Sequence, residues 1–327
     1  MAFSLDPLLK RFMCSAVWAC IGCLCLAGSA RADDKVLVVR TSSMAAGEIL
    51  EGFQSEMEGE LEFVVYELSE SDDAKVFERL VSEHSPKAIV LMDNRVLRLY
   101  KHYQGAQPDS TVFPPAVVVM AAFAEQASVG VKNISGIAYE VPVVTSVLQV
   151  RLALGLGVTN VGVVYRGAFE DFVVAQSVQA AGASLNIHAA KVEGNSPEDV
   201  RFALSALERR GVDLIWVLND SELLSPSMIS GGWLPGLRGM KLPVIVGVAP
   251  ILDPRLGFGT LGVLPDHSSL GEQAATMILD LSENEWELSA EEFEVPASVV
   301  NTVNSVSARR LVEMDEDRLT KFDKVLD

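Results

Sequence analysis

The strongest constraint on this chain is that it repeats itself. Val36-Leu37-Val38-Val39-Arg40 recurs as Gly162-Val163-Val164-Tyr165-Arg166, an offset of 126 from position 36 to position 162. The unit running from Asp73 through Val76 and Val81 to Ile89-Val90-Leu91-Met92-Asp93-Asn94 recurs from Asp199. There it passes through Phe202 and Leu207 to Ile215-Trp216-Val217-Leu218-Asn219-Asp220, again 126 positions on. Gly136-Ile137-Ala138 matches Gly262-Val263-Leu264 at the same offset, and Pro115-Ala116-Val117-Val118-Val119 answers Pro243-Val244-Ile245-Val246 within two residues. A chain built from two such copies folds into two lobes of the same plan.

Each copy alternates short apolar runs with segments of helical period. Continuous apolar runs bounded by turn residues suit parallel strands covered by helices on both faces. Helical periodicity spans Ile49 to Glu58, Asp73 to His84, Phe169 to Ala181 and Pro197 to Arg210. Ser196-Pro197-Glu198-Asp199 supplies a cap, a first-turn proline and acids at the positive end of the last of these. The predicted fold is therefore α/β, with two doubly wound, Rossmann-like lobes. Helices are also expected over Pro142 to Leu156 and Asp266 to Leu281. If each packs on the lobe opposite its preceding strand, the chain crosses near Tyr139-Glu140, near Leu264-Pro265, and a third time near Glu294-Val295-Pro296. Lobe 1 is then residues 33–138 plus 265–293, and lobe 2 residues 139–264 plus 294–327. Ser225 to Pro243 reads as a loop with a short helix.

The first 32 residues follow a different logic. Lys10 and Arg11 precede an apolar run from Phe12 to about Leu26, and Ala30-Arg31-Ala32 closes it, the layout of a secretory signal cleaved after Ala32. A retained membrane anchor is the alternative, because the run approaches the roughly 18 residues that span a bilayer. Lipidation at Cys20 is a third, against which the bulky Trp18 speaks. All four cysteines, Cys14, Cys20, Cys23 and Cys25, lie in this segment. The chain beyond it has no thiol for disulfides, metal or nucleophilic catalysis. The formal charge is −18 for the whole chain and +2 for the leader, leaving −20 after cleavage. Nucleic acid is a poor partner for such a body.

Ordered blocks in the second half resemble a large family of ABC-transporter substrate-binding proteins. Asn133-Ile134-Ser135-Gly136-Ile137, Val141-Pro142 and Asn160-Val161-Gly162-Val163-Val164-Tyr165 are similar to its N-I-T-G-V, V-P and K-x-I-G-V-L-Y blocks. Lys241-Leu242-Pro243-Val244-Ile245 resembles its I-P-V strand, and Leu264-Pro265-Asp266-His267 through Ala275 its S-P-D-Y-x-x-L-G-R-Q-A-A helix start. Val300 to Ala308 is similar to its L-V-I-N-L-K-T-A segment. The likeness covers roughly residues 132–311, and lobe 1 matches only in layout. It implies a type I periplasmic-binding-protein fold with about three hinge crossings, and delivery of ligand to a membrane permease; members with assigned ligands take aromatic amino acids. The sequence departs from the family at Asp93-Asn94-Arg95 in place of T-P-A. It departs again at Phe123-Ala124-Glu125-Gln126 in place of a D-P dipeptide, and at His267 in place of tyrosine.

Ligands of open α/β sheets bind beyond the carboxyl ends of the strands. That rule selects Ser42 and Ser43 after the first strand, and Phe169 after its repeat. It also selects the matched pairs Asp93-Asn94 and Asn219-Asp220, Tyr139 and Glu140 at one crossing, and Asp266 and His267 at another. Phe123, with Tyr139 and Phe169, offers an apolar wall. Each residue has a second reading: the serines, Asp and Asn as helix caps, Tyr139 as hinge packing, His267 as a helix-start residue. The four histidines show no metal-ligand spacing, and no cofactor is expected. Gly257-Phe258-Gly259-Thr260-Leu261-Gly262 matches G-x-G-x-x-G in letters but precedes a strand instead of following one. No P-loop, G-x-S-x-G or H-E-x-x-H occurs. The expected protein is a monomeric, non-enzymatic, periplasmic binder of a small molecule, aromatic or amino-acid-like, serving an ABC permease. A periplasmic sensor coupled to a membrane receptor is the alternative.

Overall fold

The computed structural model describes residues 34–327. The leader reading and all four cysteines lie outside them. The first half runs β1 (Lys35–Arg40), α1 (Met44–Met57), β2 (Glu62–Glu67), α2 (Lys75–His84), β3 (Ala88–Met92), α3 (Asn94–Gly105), β4 (Ala116–Val119), α4 (Ala124–Ser128), β5 (Ile134–Ile137) and α5 (Val143–Leu154). The second runs β6 (Asn160–Arg166), α6 (Glu170–Gly182), β7 (Asn186–Val192), α7 (Pro197–Arg209), β8 (Leu214–Val217), α8 (Pro226–Met228), α9 (Leu234–Leu237), β9 (Val244–Val246), β10 (Leu261–Pro265) and α10 (His267–Glu283). The tail adds β11 (Phe293–Glu294), β12 (Val299–Asn304), α11 (Ser305–Ala308), α12 (Glu316–Leu319) and β13 (Lys324–Leu326).

The duplication is visible in the sheets. One sheet has the order β11-β5-β4-β3-β1-β2, the other β13-β12-β10-β9-β8-β6-β7. Removing the tail strands leaves the same permutation in each, parallel throughout. The chain leaves the first sheet after β5, returns after β10 and leaves again after β11, so three segments join two α/β lobes.

Strand alternation sorts apolar side chains to the two faces of each sheet. Leu37, Val39, Ile89 and Leu91 pack on one face of the first, Val36, Val38, Val90 and Met92 on the other. In the second, Val163 and Trp216 face the layer that holds α5, whereas Val164, Ile215 and Val217 face that of α7. Neither sheet has a solvent face, which explains the unbroken apolar runs. The span between Ser225 and Pro243 holds α8, α9 and a π-turn over Ile229–Trp233, with Trp233 buried.

The helices after β5 and β10 are exchanged between lobes. Val143, Val147, Val150 and Leu154 of α5 lie in the core around β6 and β8. Leu270, Ala274 and Ile278 of α10 lie in the core around β1 and β3. Close approach of α10 to α1 needs glycine: a Cβ on Gly271 would stand 2.0 Å from Ile49 O, and one on Gly52 2.1 Å from Ser268 O. Both obstacles are backbone, so neither can rotate away. Gly271→Ala is therefore expected to lower stability by about 1–3 kcal/mol, the range for overpacking, read as a lower urea midpoint at unchanged slope.

Candidate functional site

The loop after β4 and the crossing after β5 meet the segments after β6 and β8, through the Phe123–Phe169 ring contact and the hydrogen bonds of Glu140. Glu140 is the polar centre of this region. Its Oε2 accepts from Phe123 N at 2.9 Å, a lobe-1 donor, and its Oε1 accepts from Asn219 Nδ2 at 3.4 Å, a lobe-2 donor. The side chain is only 9% exposed. Burial pushes its carboxyl up to about 7, and hydrogen bonds from Phe123 N–H, the Asn219 amide and its own backbone N–H pull the other way without overcoming it. None of these donors carries a positive charge, so they offset only part of the cost of removing an anion from water.

Aromatic side chains cluster about Phe123, whose backbone N–H donates to this carboxylate. The Phe123 ring lies 4.4 Å from that of Phe169 and 5.2 Å from that of Phe172, centroid to centroid, and Phe172 in turn lies 6.0 Å from Trp216. Phe123 thus belongs by packing to the core of the opposite lobe. A cavity of about 20 Å³ remains beside Glu140, Trp216, Asn219 and Gly247. That is room for about one water, compared with the roughly 300–1,000 Å³ of a small-molecule site.

A second cluster lies on the lobe-1 side of the crossings. His267 Nε2 is 3.0 Å from Tyr139 Oη, and Nδ1 is 2.8 Å from Glu48 Oε2. One tautomer satisfies both contacts: Nδ1–H donates to Glu48 and Nε2 accepts from the hydroxyl. Burial, with the charges of Glu140 and Glu48, pushes the Tyr139 hydroxyl up to about 12, so it stays a donor at neutral pH. His267, anticipated as a helix-start residue or a cleft residue, thus ties two crossings to α1.

The other anticipated residues have identifiable partners. Ser43 caps α1 through Ala46 N, and Asp266 caps α10 through Ser269 N. Ser42 precedes the cap and is exposed. Asp93 caps α3 through Arg95 N and Val96 N and also accepts from Thr41 Oγ1. Asn94 clamps the loop after β4, donating to Ala122 O at 2.7 Å and accepting from Ala122 N at 2.8 Å. Asp220, 1% exposed, accepts from Arg166 Nε at 2.6 Å and Nη2 at 2.8 Å. Arg166 also pairs with Glu222 and lies over the Phe169 ring.

Sequence reasoning passed over Phe172, Gln176, Trp216, Arg166 and Glu48. Arg166 had a signal, because it ends the repeated strand opposite Arg40. The aromatic residues sit at ordinary core positions of a helix and a strand, and nothing in their spacing separates them from packing. Gln176, buried on α6, accepts from Val143 N at 2.9 Å and so ties off the start of the exchanged helix α5.

The sequence matches no family model and no curated protein. Its architecture does have counterparts among solved structures. It superposes on the ligand-free, open structure of a substrate binding protein with adhesive properties from Clostridium difficile with a TM-score of 0.62 at 13% identity, covering 90% of this chain and 99% of that one. It superposes on an ABC domain in complex with L-Trp from Streptococcus pneumonia with a TM-score of 0.55 at 19% identity, covering 90% and 99%. An arabinose binding protein from Geobacillus stearothermophilus gives 0.53 at 12% identity, covering 85% and 99%. The fold is that of the type I periplasmic binding proteins. In a fold of this kind the region between the lobes is where Glu140 sits.

The raised Glu140 carboxyl makes stability depend on pH with a definite sign. Below its ordinary value of 4.5 the group is protonated in both folded and unfolded chains. Between 4.5 and about 7 the unfolded chain releases a proton that the folded chain keeps, so stability falls as pH rises, and the loss is complete above about 7. Glu140→Gln is isosteric, and the Asn219 amide can turn to present its oxygen. This variant is expected to flatten that dependence and to be more stable than the natural chain at pH 8 by about 1–3 kcal/mol, measured by urea denaturation across pH.

Proposed function

We propose that this protein is an extracytoplasmic solute-binding protein that captures a small molecule between its lobes and presents it to an ABC permease. Support comes from a buried carboxylate, Glu140, hydrogen-bonded to a half-buried amide, Asn219, close to Phe123, Phe169 and Trp216, where three chain crossings join two lobes. That combination of an apolar wall with a few convergent polar groups is what a small-molecule site needs. The lobes, 33–138 plus 265–293 and 139–264 plus 294–327, move as two bodies about the crossings. Ser42, Ser43, Asp93 and Asn94 form the lobe-1 rim, and Asp220, Asp266 and His267 position the groups around the crossings. Two of the solved structures of similar fold are of binding proteins and a third holds L-Trp, and among the described residues no helix is long and apolar enough to cross a membrane. The leader reading adds export.

Protein purified gently from its own host should retain its solute, identified by mass spectrometry after denaturation. Adding that solute back to stripped protein should raise the melting temperature, by about 2.7 kcal/mol of stabilisation at a hundredfold excess over Kd. No retained compound, and no shift with amino acids, aromatic acids or sugars, would count against solute capture.

A further inference from the structure

One aromatic side chain of lobe 1 is inserted into the core of lobe 2. Phe123 comes from the loop after β4 in lobe 1, yet it is 8% exposed and packs in the lobe-2 core. Its ring fits against those of Phe169 and Phe172, which are themselves half-buried. We propose that Phe123 is an intramolecular plug: it occupies the aromatic recess of lobe 2 that a solute's flat apolar ring takes, and the solute must expel it to bind. This inference rests on the solute-binding reading above and adds to it a competitor built into the chain.

Three observations show that the plug is held in place by its loop and not by simple apolar collapse. The loop carries two non-glycine residues in the left-handed region, Met120 at φ 63° and Phe123 at φ 51°. Such backbone is unfavourable for residues with a side chain and persists only where its surroundings hold it. Those surroundings are on either side of the ring. Asn94 grips Ala122 through both its N–H and its carbonyl, and Glu140 accepts from Phe123 N. Both tethers are residues of the region between the lobes. A solute donor that takes over Glu140 frees Phe123 N at the same moment that the solute's ring displaces the Phe123 ring.

The chemistry selects a class of solute. It carries a planar apolar ring, to stack on Phe169 and Phe172 near Trp216, and a hydrogen-bond donor that reaches Glu140 or the Asn219 side chain. A sugar without an apolar ring can replace the donor but not the ring, and it leaves the recess to Phe123. With the plug in place only a fraction of molecules is competent to bind, so the apparent affinity is lowered by that fraction.

The test compares the natural chain, Phe123→Ala and Phe123→Leu, each lacking the first 32 residues. Residues 33–327 contain no cysteine, so spin labels can be placed on single cysteines at exposed Asp109 of lobe 1 and exposed Glu208 of lobe 2. Calorimetry then measures binding of indole, p-hydroxybenzoate, L-tryptophan, ribose and arabinose. The plug requires that at least one ring-bearing probe binds Phe123→Ala about tenfold tighter than the natural chain, that Phe123→Leu falls between, and that the interlabel distances of Phe123→Ala broaden without any probe. Equal affinity of all three chains for a ring-bearing probe, with unchanged distances, would overturn the plug and leave solute capture standing. Should no chain bind any probe while circular dichroism shows all three folded, solute capture fails and the plug with it. Phe123→Leu keeps an apolar side chain in the recess, so the comparison survives if Phe123→Ala does not fold.

Discussion

A buried carboxylate ties together the two halves of this molecule beside their chain crossings. Glu140 lies on the first crossing, accepts from the backbone of lobe 1 and from a side chain of lobe 2, and does so without a cation nearby to pair with. Such a group is expensive to bury ionised and cheap to bury protonated. Its surroundings are largely apolar: Phe123 supplies the donor backbone, Phe169 and Phe172 pack on that ring, and Trp216 lines the same small cavity. At this point the lobes meet through a small polar centre beside packed aromatic rings.

The architecture that delivers Glu140 to this place follows from duplication with exchange. Each copy ends in a strand whose following helix packs on the other lobe, so the chain must cross at the carboxyl ends of the sheets. The crossing residues then sit where open α/β sheets place their ligands. Gly271 and Gly52 let α10 settle against α1 at backbone distance, and Gln176 secures the start of α5. The exchanged helices are thereby packed into the cores of their adoptive lobes, and three short stretches near Tyr139, Pro265 and Val295 carry the crossings. His267, bridging Tyr139 and Glu48, adds a second tie at the same level.

Much of the fold was legible because its signals are local or periodic. Unbroken apolar runs gave the buried strands, and the 126-residue offset predicted two sheets of one plan. Strand ends were legible too, which is why Asp93, Asn94, Asn219 and Asp220 could be picked out. What each of them bonds was not. Asn94 finds Ala122 and Asp220 finds Arg166 only after the sheets are assembled. His267 and Glu48 are 219 residues apart, a pairing that no spacing rule reaches. Phe172 and Trp216 were hidden for a different reason: an aromatic residue at a buried position looks the same whether it packs a core or lines a site. Phe123 was chosen as a wall residue, and its insertion into the opposite lobe depends on a left-handed backbone that its sequence, Ala122-Phe123-Ala124, does not announce.

The central physical claim is that Glu140 is buried between the lobes and holds its proton to near neutrality. A carboxyl-carbon NMR titration of the Glu140 side chain, assigned by its loss in Glu140→Gln, reads this directly. A midpoint at about 7 is the expected result. A midpoint at the ordinary value of 4.5 would mean that the carboxylate is solvated, and would contradict a polar centre closed between two lobes.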